Sequence, residues 1–204
     1  MVRKVIVLAL VLGVGLAVTG VAGARWFNVI RGTRGDDVIA GTANRDFILG
    51  FAGNDQISAA EGRDRVYAGK GDDTVDGGPG LDRLFGGLGN DTITAGNGRA
   101  VIWGGDGNDT LTAGANGLSR LHGGPGDDTE NGGARRDFIW GGRGVDQEFG
   151  GDGNDVLHAL ARDNQVDTLD CGPGDHDVAW LRAGEADTTA NCELLKIVNT
   201  GSDG

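Results

Sequence analysis

Aspartate recurs every nine residues through most of the chain, and this spacing is the feature with the clearest chemical meaning. From Gly32, fourteen blocks follow one another to His158, thirteen of nine residues and one of ten. Asp fills the sixth position of twelve blocks, and Gly is the commonest residue at the first, second and fourth. Carboxylates at regular intervals can bind cations, and glycine permits tight turns with positive φ. Alternatively, many of these Asp are only turn residues.

The eighth position of each block indicates the element that carries these carboxylates. It is Ile, Val or Leu in twelve blocks, the exceptions being Glu130 and Glu148. Six turn residues followed by a three-residue strand would point this side chain into a thin core, because neighbouring side chains alternate. Such a short strand buries nothing alone, so coils must stack. The sequence predicts an all-β fold, a parallel β-roll (solenoid) of about 14 nonapeptide repeats, with two repeats per 18-residue coil and a small C-terminal cap.

Odd and even repeats differ at position 5, which supports two repeats per coil. In the first six odd repeats the residue is Asp or Asn: Asp36, Asn54, Asp72, Asn90, Asn108 and Asp127. In the first six even repeats it is Arg or Leu: Arg45, Arg63, Leu81, Arg99, Leu118 and Arg136. Repeat 13 departs from this alternation with Val145 and Phe149.

Position 9 of the even repeats carries large rings that should point away from the core. These include Tyr67, Phe85, Trp103, His122 and Trp140. An exposed apolar row of this length often marks a partner surface, here for a glycan or a second subunit. The alternatives are that the C-terminal segment folds over the rings, or that they simply stack along the sheet.

Composition narrows the function classes. The chain has 204 residues, 41 of them Gly, and 25 Asp against 5 Glu. Asp favours turns over helices, which argues against a helical bundle, and 3 Pro without a three-residue period exclude collagen. The net charge of −12 argues against nucleic acid and anionic membrane surfaces as partners and favours cations.

Residues 1–24 have the pattern of a secretory signal peptide. Arg3 and Lys4 precede an apolar run, and Ala22-Gly23-Ala24 is a cleavage site of A-x-A type. We therefore expect cleavage after Ala24, secretion, and no membrane span after cleavage. The alternative is a membrane anchor, although the apolar run is shorter than the ~20 residues that a span needs. Residues 25–31 form an N-terminal lead-in to the repeats at 32–158.

The end of the chain contains both cysteines, Cys171 and Cys192. In an exported chain such a pair predicts one disulfide, the alternative being two buried reduced thiols. We expect residues 159–204 to hold degenerate repeats and a disulfide-stapled cap, because a solenoid end needs covering. The apolar residues available for that cap are Trp180, Leu181, Leu194, Leu195, Ile197 and Val198.

The blocks resemble the GGxGxDxUx nonapeptide of the RTX (haemolysin-type) calcium-binding β-roll. The resemblance covers residues 32–158. The pattern DTLDCGPG…D…CE over 167–193 is similar to the terminal motif of exported, actinobacterial-like RTX proteins with one disulfide. The family likeness implies several Ca²⁺ ions between adjacent turns, held by Asp at position 6 and by turn carbonyls.

The same resemblance gives candidate metal ligands on two sides of the roll. The odd row is unbroken: Asp37, Asp55, Asp73, Asp91, Asp109, Asp128 and Asp146. The even row, interrupted by Ala100 and Ser119, holds Asp46, Asp64, Asp82, Asp137 and Asp155. The candidate turn-backbone positions are Gly35, Gly53, Gly71, Gly89, Gly107, Gly126, Gly144 and Gly153. We expect up to six sites along the odd row and few in the middle of the even row.

No enzyme is predicted. The chain contains neither H-E-x-x-H nor G-x-S-x-G, and a periodic carboxylate row is better explained by metal than by an acid–base pair. The sequence predicts a secreted, non-catalytic protein that folds on binding Ca²⁺. The alternative is an adhesin or glycan-binding module that uses the ring face at Tyr67, Phe85, Trp103 and Trp140, with calcium purely structural.

Overall fold

The computed structural model describes residues 5–7 and 27–199, which form two parallel β-sheets of ten strands each. The first sheet contains β1 (Val5–Val7), β3 (Asp37–Ala40), β5 (Gln56–Ser58), β7 (Thr74–Asp76), β9 (Thr92–Thr94), β11 (Thr110–Thr112), β13 (Thr129–Asn131), β15 (Gln147–Phe149), β17 (Thr168–Asp170) and β19 (Thr188–Ala190). The second contains β2 (Asn28–Arg31), β4 (Asp46–Leu49), β6 (Arg65–Lys70), β8 (Leu81–Leu88), β10 (Arg99–Asp106), β12 (Arg120–Pro125), β14 (Phe138–Arg143), β16 (Val156–Ala159), β18 (Val178–Arg182) and β20 (Leu194–Val198).

Successive strands alternate between the sheets, so each coil takes one strand from each. Ile57 pairs with Val75, one 18-residue coil later, whereas Leu111 pairs with Glu130 across the ten-residue block. The predicted parallel β-roll with two repeats per coil is confirmed. The roll is also longer than the fourteen repeats, because β2 precedes them and β17 to β20 follow them.

The core between the two sheets consists mainly of position-8 side chains, as predicted, with buried first-position alanines such as Ala59 and Ala68 beside them. The position-8 side chains are at most 3% exposed in Ile39, Ile48, Ile57, Val66, Val75, Leu84, Ile93, Ile102, Leu111, Leu121, Ile139 and Leu157. Burying each such side chain contributes about 1.5–3 kcal/mol to the stability of the fold. Each further coil that stacks on the roll adds the same contribution.

Strands of the second sheet run further than the predicted three residues. β8 and β10 each span eight residues and continue into the glycines that open the next repeat. Gly69, Gly87 and Gly105 lie in register across three adjacent strands. A methyl group added at Gly87 would clash with the carbonyl oxygen of Gly69. The close approach that extends these strands is therefore available only to glycine.

The C-terminal residues continue the roll. β17 to β20 add two rungs to each sheet, and a disulfide joins Cys171 to Cys192, as predicted. Leu194, Leu195 and Ile197, which were expected to cover the last core layer, lie on the edge strand β20 with 48%, 48% and 64% of their surfaces exposed. The physical reason is that β20 extends the second sheet beside β18 and does not fold across its end.

Most of the predicted signal peptide lies outside the described residues. Within it the structure places Val5–Val7 as β1, paired in parallel with β3. In the described part of the chain, no helix is long and apolar enough to cross a membrane.

Candidate metal centre

All twelve predicted aspartate ligands are buried, with at most 2% of their surfaces exposed. Each lies at the end of a turn, where the chain enters a strand. One carboxylate oxygen usually bonds to the neighbouring coil: the backbone N–H of Asp73 donates to Oδ1 of Asp91, and that of Asp91 donates to Oδ1 of Asp109, both at 2.8 Å. The position-6 side chains therefore form a hydrogen-bond ladder along the roll.

The second carboxylate oxygen separates the odd row from the even row. Every odd-row Asp has one buried oxygen without a hydrogen-bond partner: Asp37, Asp55, Asp73, Asp91, Asp109, Asp128 and Asp146. In the even row the same holds for Asp64, Asp82 and Asp155. Both oxygens are hydrogen-bonded in the other two, with Oδ2 of Asp46 accepting from the N–H of Thr42 and Oδ2 of Asp137 from that of Gly133. The unpartnered oxygens are thus continuous on one side only.

Backbone carbonyls accompany the unpartnered oxygens. Oδ2 of Asp91 and the carbonyl oxygen of Gly104 both lie where a methyl group at Gly86 would be. Asp109, Gly123 and Gly104 repeat this arrangement one coil later. Among residues 27–199, no three His, Cys, Asp or Glu side chains cluster around a common centre. A cation here would therefore need backbone carbonyls as well as carboxylates, and this all-oxygen set fits Ca²⁺.

Burial makes the negative charge on these rows costly. The pKa of Asp73, Asp91 and Asp109 is raised to about 7, chiefly by burial and also by neighbouring carboxylates, against the lowering effect of the hydrogen bond from the preceding coil. Burial is also the main reason why the pKa of Asp55 and that of Asp128 are raised to about 6. The ladder bonds alone therefore do not compensate the stacked carboxylates.

The odd-row Asp and Asn residues at position 5 form a second ladder, whose role the sequence reasoning missed. The backbone N–H of Asp72 donates to Oδ1 of Asn54 at 3.1 Å, and that of Asn90 donates to Oδ1 of Asp72 at 2.8 Å. These bonds run in the opposite direction to the position-6 ladder. This second ladder ends at repeat 13. The backbone N–H of Val145 donates to Oδ1 of Asp127, but the valine side chain has no oxygen that could accept a hydrogen bond from the next coil.

Six of the eight predicted turn glycines have the left-handed backbone conformation that favours glycine. Gly53, Gly71, Gly89, Gly107, Gly126 and Gly144 have φ between 104° and 140°. Their neighbours are crowded as well: a methyl group at Gly89 would clash with the carbonyl of Gly71. Gly153 has φ of 159°, close to extended backbone. Gly35 lacks positive φ and has open space around it, so neither backbone conformation nor crowding requires glycine in the first turn.

The even row is interrupted where the sequence indicated. Ala100 and Ser119 are buried at the position that Asp takes elsewhere, so the ladder stops after Oδ1 of Asp82 and resumes where the N–H of Ser119 donates to Asp137. Backbone pairing fills part of the gap, because Leu81 and Ala100 belong to strands that extend through this turn.

Three further aspartates continue the ladders beyond His158. The N–H of Asp146 donates to Oδ1 of Asp167, that of Asp155 to Asp177, and that of Asp167 to Asp187. Asp167 lies in the degenerate repeat RDNQVDTLD at 162–170, which keeps Asp at the sixth position and Leu at the eighth. Asp177 and Asp187 were missed because irregular loops place them 22 and 20 residues after their partners Asp155 and Asp167, and not 18. The available signal was an Asp two residues before an inward-facing strand residue.

The rings of the second sheet stack on one another, which was one of the expected alternatives. Tyr67, Phe85 and Trp103 have centroids 4.5 and 4.4 Å apart and nearly parallel planes. The stack continues through His122, Trp140, His158 and Trp180. All these rings are half-buried. Strands β18 and β20 extend the same sheet, and at the end of the stack Nζ of Lys196 lies 4.5 Å from the ring centroid of Trp180.

Two stacked parallel sheets, joined by Gly- and Asp-rich turns that align buried carboxylates, define a parallel β-roll of metal-binding type. A sequence profile described as the RTX calcium-binding nonapeptide repeat (4 copies) matches residues 31–66, 49–84, 58–93, 85–116, 122–157 and 149–170. These segments cover more than half of the chain, so the chain belongs to the RTX calcium-binding nonapeptide-repeat family. Comparison with individual characterised proteins gives no match.

Proposed function

We propose that this protein is a secreted, non-catalytic calcium-binding protein whose β-roll folds when Ca²⁺ binds between stacked turns. The observation that carries the proposal is the odd row, where seven successive buried aspartates each keep one oxygen without a hydrogen-bond partner. Glycine carbonyls lie beside these oxygens, as at Asp91 and Asp109. A row of hard, anionic oxygen donors of this kind is suited to Ca²⁺, which takes six to eight oxygens in flexible geometry.

Folding and binding are coupled through this row. The chain brings each carboxylate to its neighbour only when the coils stack, so the unfolded chain offers no comparable site. Ca²⁺ supplies the positive charge that the stacked carboxylates need, and binding to the folded state alone stabilises it by mass action. Each ion would be held by odd-row Asp of adjacent coils with turn carbonyls, giving up to six sites.

On the even side we propose a sparser set of sites. Asp64, Asp82 and Asp155 keep an unpartnered oxygen, whereas Asp46 and Asp137 do not. The middle of this side, at Ala100 and Ser119, lacks a carboxylate altogether. We therefore assign most of the calcium to the odd row.

The location follows from the sequence pattern at the N-terminus. We propose that residues 1–24 are a signal peptide, removed after Ala24, and that the mature protein is extracellular. The Cys171–Cys192 disulfide supports an oxidising compartment. Cleavage would remove β1 and leave β3 as the edge of the first sheet.

A non-catalytic role is supported by where the histidines lie. His122 and His158 are part of the ring stack, and burial lowers the pKa of both, that of His158 to about 4. Neutral rings packed between other rings are poorly placed to transfer protons to a substrate.

Calcium stoichiometry tests the proposal directly. In equilibrium dialysis the chain should bind several Ca²⁺ ions, with apparent affinities of about 10⁻⁴–10⁻³ M as for other extracellular modules. Magnesium is the matched control, since Mg²⁺ demands near-octahedral geometry and keeps its waters. No retained calcium, or equal retention of both ions, would contradict the proposal.

A second candidate function is recognition of an anionic glycan by the outer face of the second sheet. The observation that favours it is a set of arginines beside the ring stack: Arg63, Arg65, Arg83, Arg99 and Arg120. None of them forms an ion pair with a described residue, in a chain whose net charge is −12. Four of them, with Asp82 and Ala100, line a groove of about 300 Å³ in which arginine outnumbers the single carboxylate. Carboxylate or sulfate groups would complement this charge.

The ring stack would position that ligand through its edges. Each inner ring face is covered by the next ring, as with Phe85 between Tyr67 and Trp103, so a sugar cannot stack on it. On a glycan array, Arg65→Ser/Arg83→Ser and Trp103→Ser/Trp140→Ser variants should lose binding to acidic glycans, with unchanged calcium binding. Arg34→Ser, on an exposed turn of the first repeat, is the control. Binding of neutral glycans, or of none, by the parent chain would reject this candidate.

A further inference from the structure

The aliphatic core is interrupted by two acidic residues. One hydrophobic cluster ends at Leu121 and a second begins at Ile139. Between them, Glu130 and Glu148 take the inward position of β13 and β15, pair in register, and are fully buried. A carboxylate buried in an apolar layer is costly unless something compensates its charge. This part of the roll therefore needs a hydrogen-bond donor or a cation next to the core, which the aliphatic coils do not need.

The two glutamates differ in how far the protein compensates them. Oε1 of Glu148 accepts the backbone N–H of Gly141 and Oε2 accepts that of His158, both at 3.0 Å. Neither oxygen of Glu130 has a hydrogen-bond partner. The backbone thus satisfies Glu148 and leaves Glu130 available.

Glu130 is aimed at two other oxygens. A methyl group at Gly123 would clash with Oε1 of Glu130, Oδ2 of Asp128 and the carbonyl oxygen of Gly141, so these three oxygens lie within a few ångströms of one another. Oδ2 of Asp128 also lacks a hydrogen-bond partner. At the equivalent place in repeat 7, around Gly86, only one carboxylate and one carbonyl meet. Repeat 11 therefore adds a second carboxylate to the arrangement.

We propose that Glu130, Asp128 and the carbonyl of Gly141 form an interior Ca²⁺ site that binds more tightly than the aspartate-only sites of the ladder. Calcium affinity rises with the number of charged ligands and with site rigidity. Here both increase, since the second carboxylate comes from a fully buried strand residue. The ion would also replace the missing aliphatic contact between β13 and β15. The inference rests on the proposed function to the extent that Asp128 also belongs to the odd row.

Calcium titration of the full chain and two leucine variants tests the site. Glu130→Leu introduces an aliphatic residue, as found at this position in twelve of the fourteen repeats. The fold should therefore be kept, and circular dichroism in saturating calcium checks that it is. Glu61→Leu, in an exposed turn of repeat 4, is the control, because it removes the same charge and leaves all three proposed ligands and the hydrogen bond from Gly141 to Glu148 in place. Glu130→Gln serves as an isosteric second variant.

Equilibrium dialysis should show one calcium ion that binds at least tenfold more tightly than the rest in the parent chain and in Glu61→Leu. Both Glu130 variants should lack it while they keep the weaker ions. If both Glu130 variants bind the same number of ions with the same affinities as the parent, the inference is overturned and Glu130 is simply a buried protonated carboxyl. If the parent chain binds no calcium, the proposed function itself fails.

Discussion

The two carboxylate oxygens of a typical position-6 aspartate have different roles. Oδ1 accepts a backbone N–H from the preceding coil, as in Asp91, and Oδ2 faces a glycine carbonyl without a hydrogen-bond donor. One atom therefore sets the register between coils, and the other is free for a cation. The role of each Asp can be separated experimentally because Asp137 uses both oxygens for hydrogen bonds.

Asp91→Asn and Asp137→Asn should have different consequences. In Asp91→Asn the ladder acceptor remains and only the proposed ligand is lost, so the calcium midpoint should rise about tenfold, equivalent to ~1.4 kcal/mol. In Asp137→Asn the new amide must face a backbone N–H, which should cost about 1–3 kcal/mol with or without calcium. Chemical denaturation at several calcium concentrations separates the two. A calcium-independent loss in Asp91→Asn would contradict a ligand role.

Turn glycines should matter where the backbone is left-handed and crowded. Gly89 has φ of 120° and no space for a methyl group, whereas Gly35 occupies the same repeat position in open space. Gly89→Ala should lower the free energy of unfolding in calcium by about 1–3 kcal/mol. Gly35→Ala should leave it within ~0.5 kcal/mol of the parent. Urea denaturation in saturating calcium measures both, and equal losses would show that position 4 does not act through conformation.

At the residue scale, the periodic positions and the interruption at Ala100 and Ser119 were predictable, whereas the individual side-chain hydrogen bonds were not. Twelve Asp positions and the core position follow from a count, because each repeats the same environment. That Asp46 is satisfied by Thr42, or that Asn54 bonds to the backbone of Asp72, depends on side-chain geometry that spacing does not contain.

At the element scale, the two sheets are built differently. Strands of the first sheet have three or four residues, whereas several in the second reach six to eight by pairing glycine backbones between coils. The nine-residue pattern predicted the shared three residues, because those carry the alternating side chains. It could not predict the extension, since glycine has no side chain that would mark which way it faces. It also left open whether the rings were covered or stacked.

The final rungs depend on the disulfide. Cys171 is fully buried beside the second core cluster, and Cys192 lies between β19 and β20. Reduction should remove roughly 3 kcal/mol of stabilisation, the value for a loop of this size. Hydrogen exchange should then speed up in β19 and β20 and stay unchanged in β8 and β10. Uniform acceleration along the whole roll would show that the coils do not open locally at this end.

At the scale of the whole molecule, nearest-neighbour contacts carry the fold. Within residues 27–199, each coil pairs with the coils before and after it, through the core row, the ladders and the ring stack. Stability in such solenoids is approximately a sum over coils and their interfaces. Each additional coil that carries a buried aspartate also adds the unfavourable free energy of burying its negative charge. The state of the whole roll therefore depends on the charge carried by its Asp rows.

Acidification should substitute for calcium in holding the metal-free roll together. Burial raises the pKa of Asp73, Asp91 and Asp109 from 3.8 to about 7. Because the folded pKa is raised, folding takes up protons. The metal-free roll is then most stable below the unfolded pKa and loses that stability as the pH rises through about 7.

Circular dichroism in EDTA should therefore show more β-structure near pH ~4 than near pH ~7.5. In calcium, protons compete for the same oxygens, so the calcium midpoint should increase as the pH falls below about 7. Sodium chloride at matched ionic strength controls for screening. Loss of β-structure on acidification in EDTA would contradict the account of the rows.

Calcium-dependent folding of the chain at neutral pH tests the central claim most directly. Far-UV circular dichroism should show a largely unfolded chain in EDTA and a cooperative gain of β signal as Ca²⁺ is added to millimolar levels, reversed by chelator and not reproduced by Mg²⁺. Identical β spectra in EDTA and in calcium would contradict it, because the stacked aspartates would then need no cation.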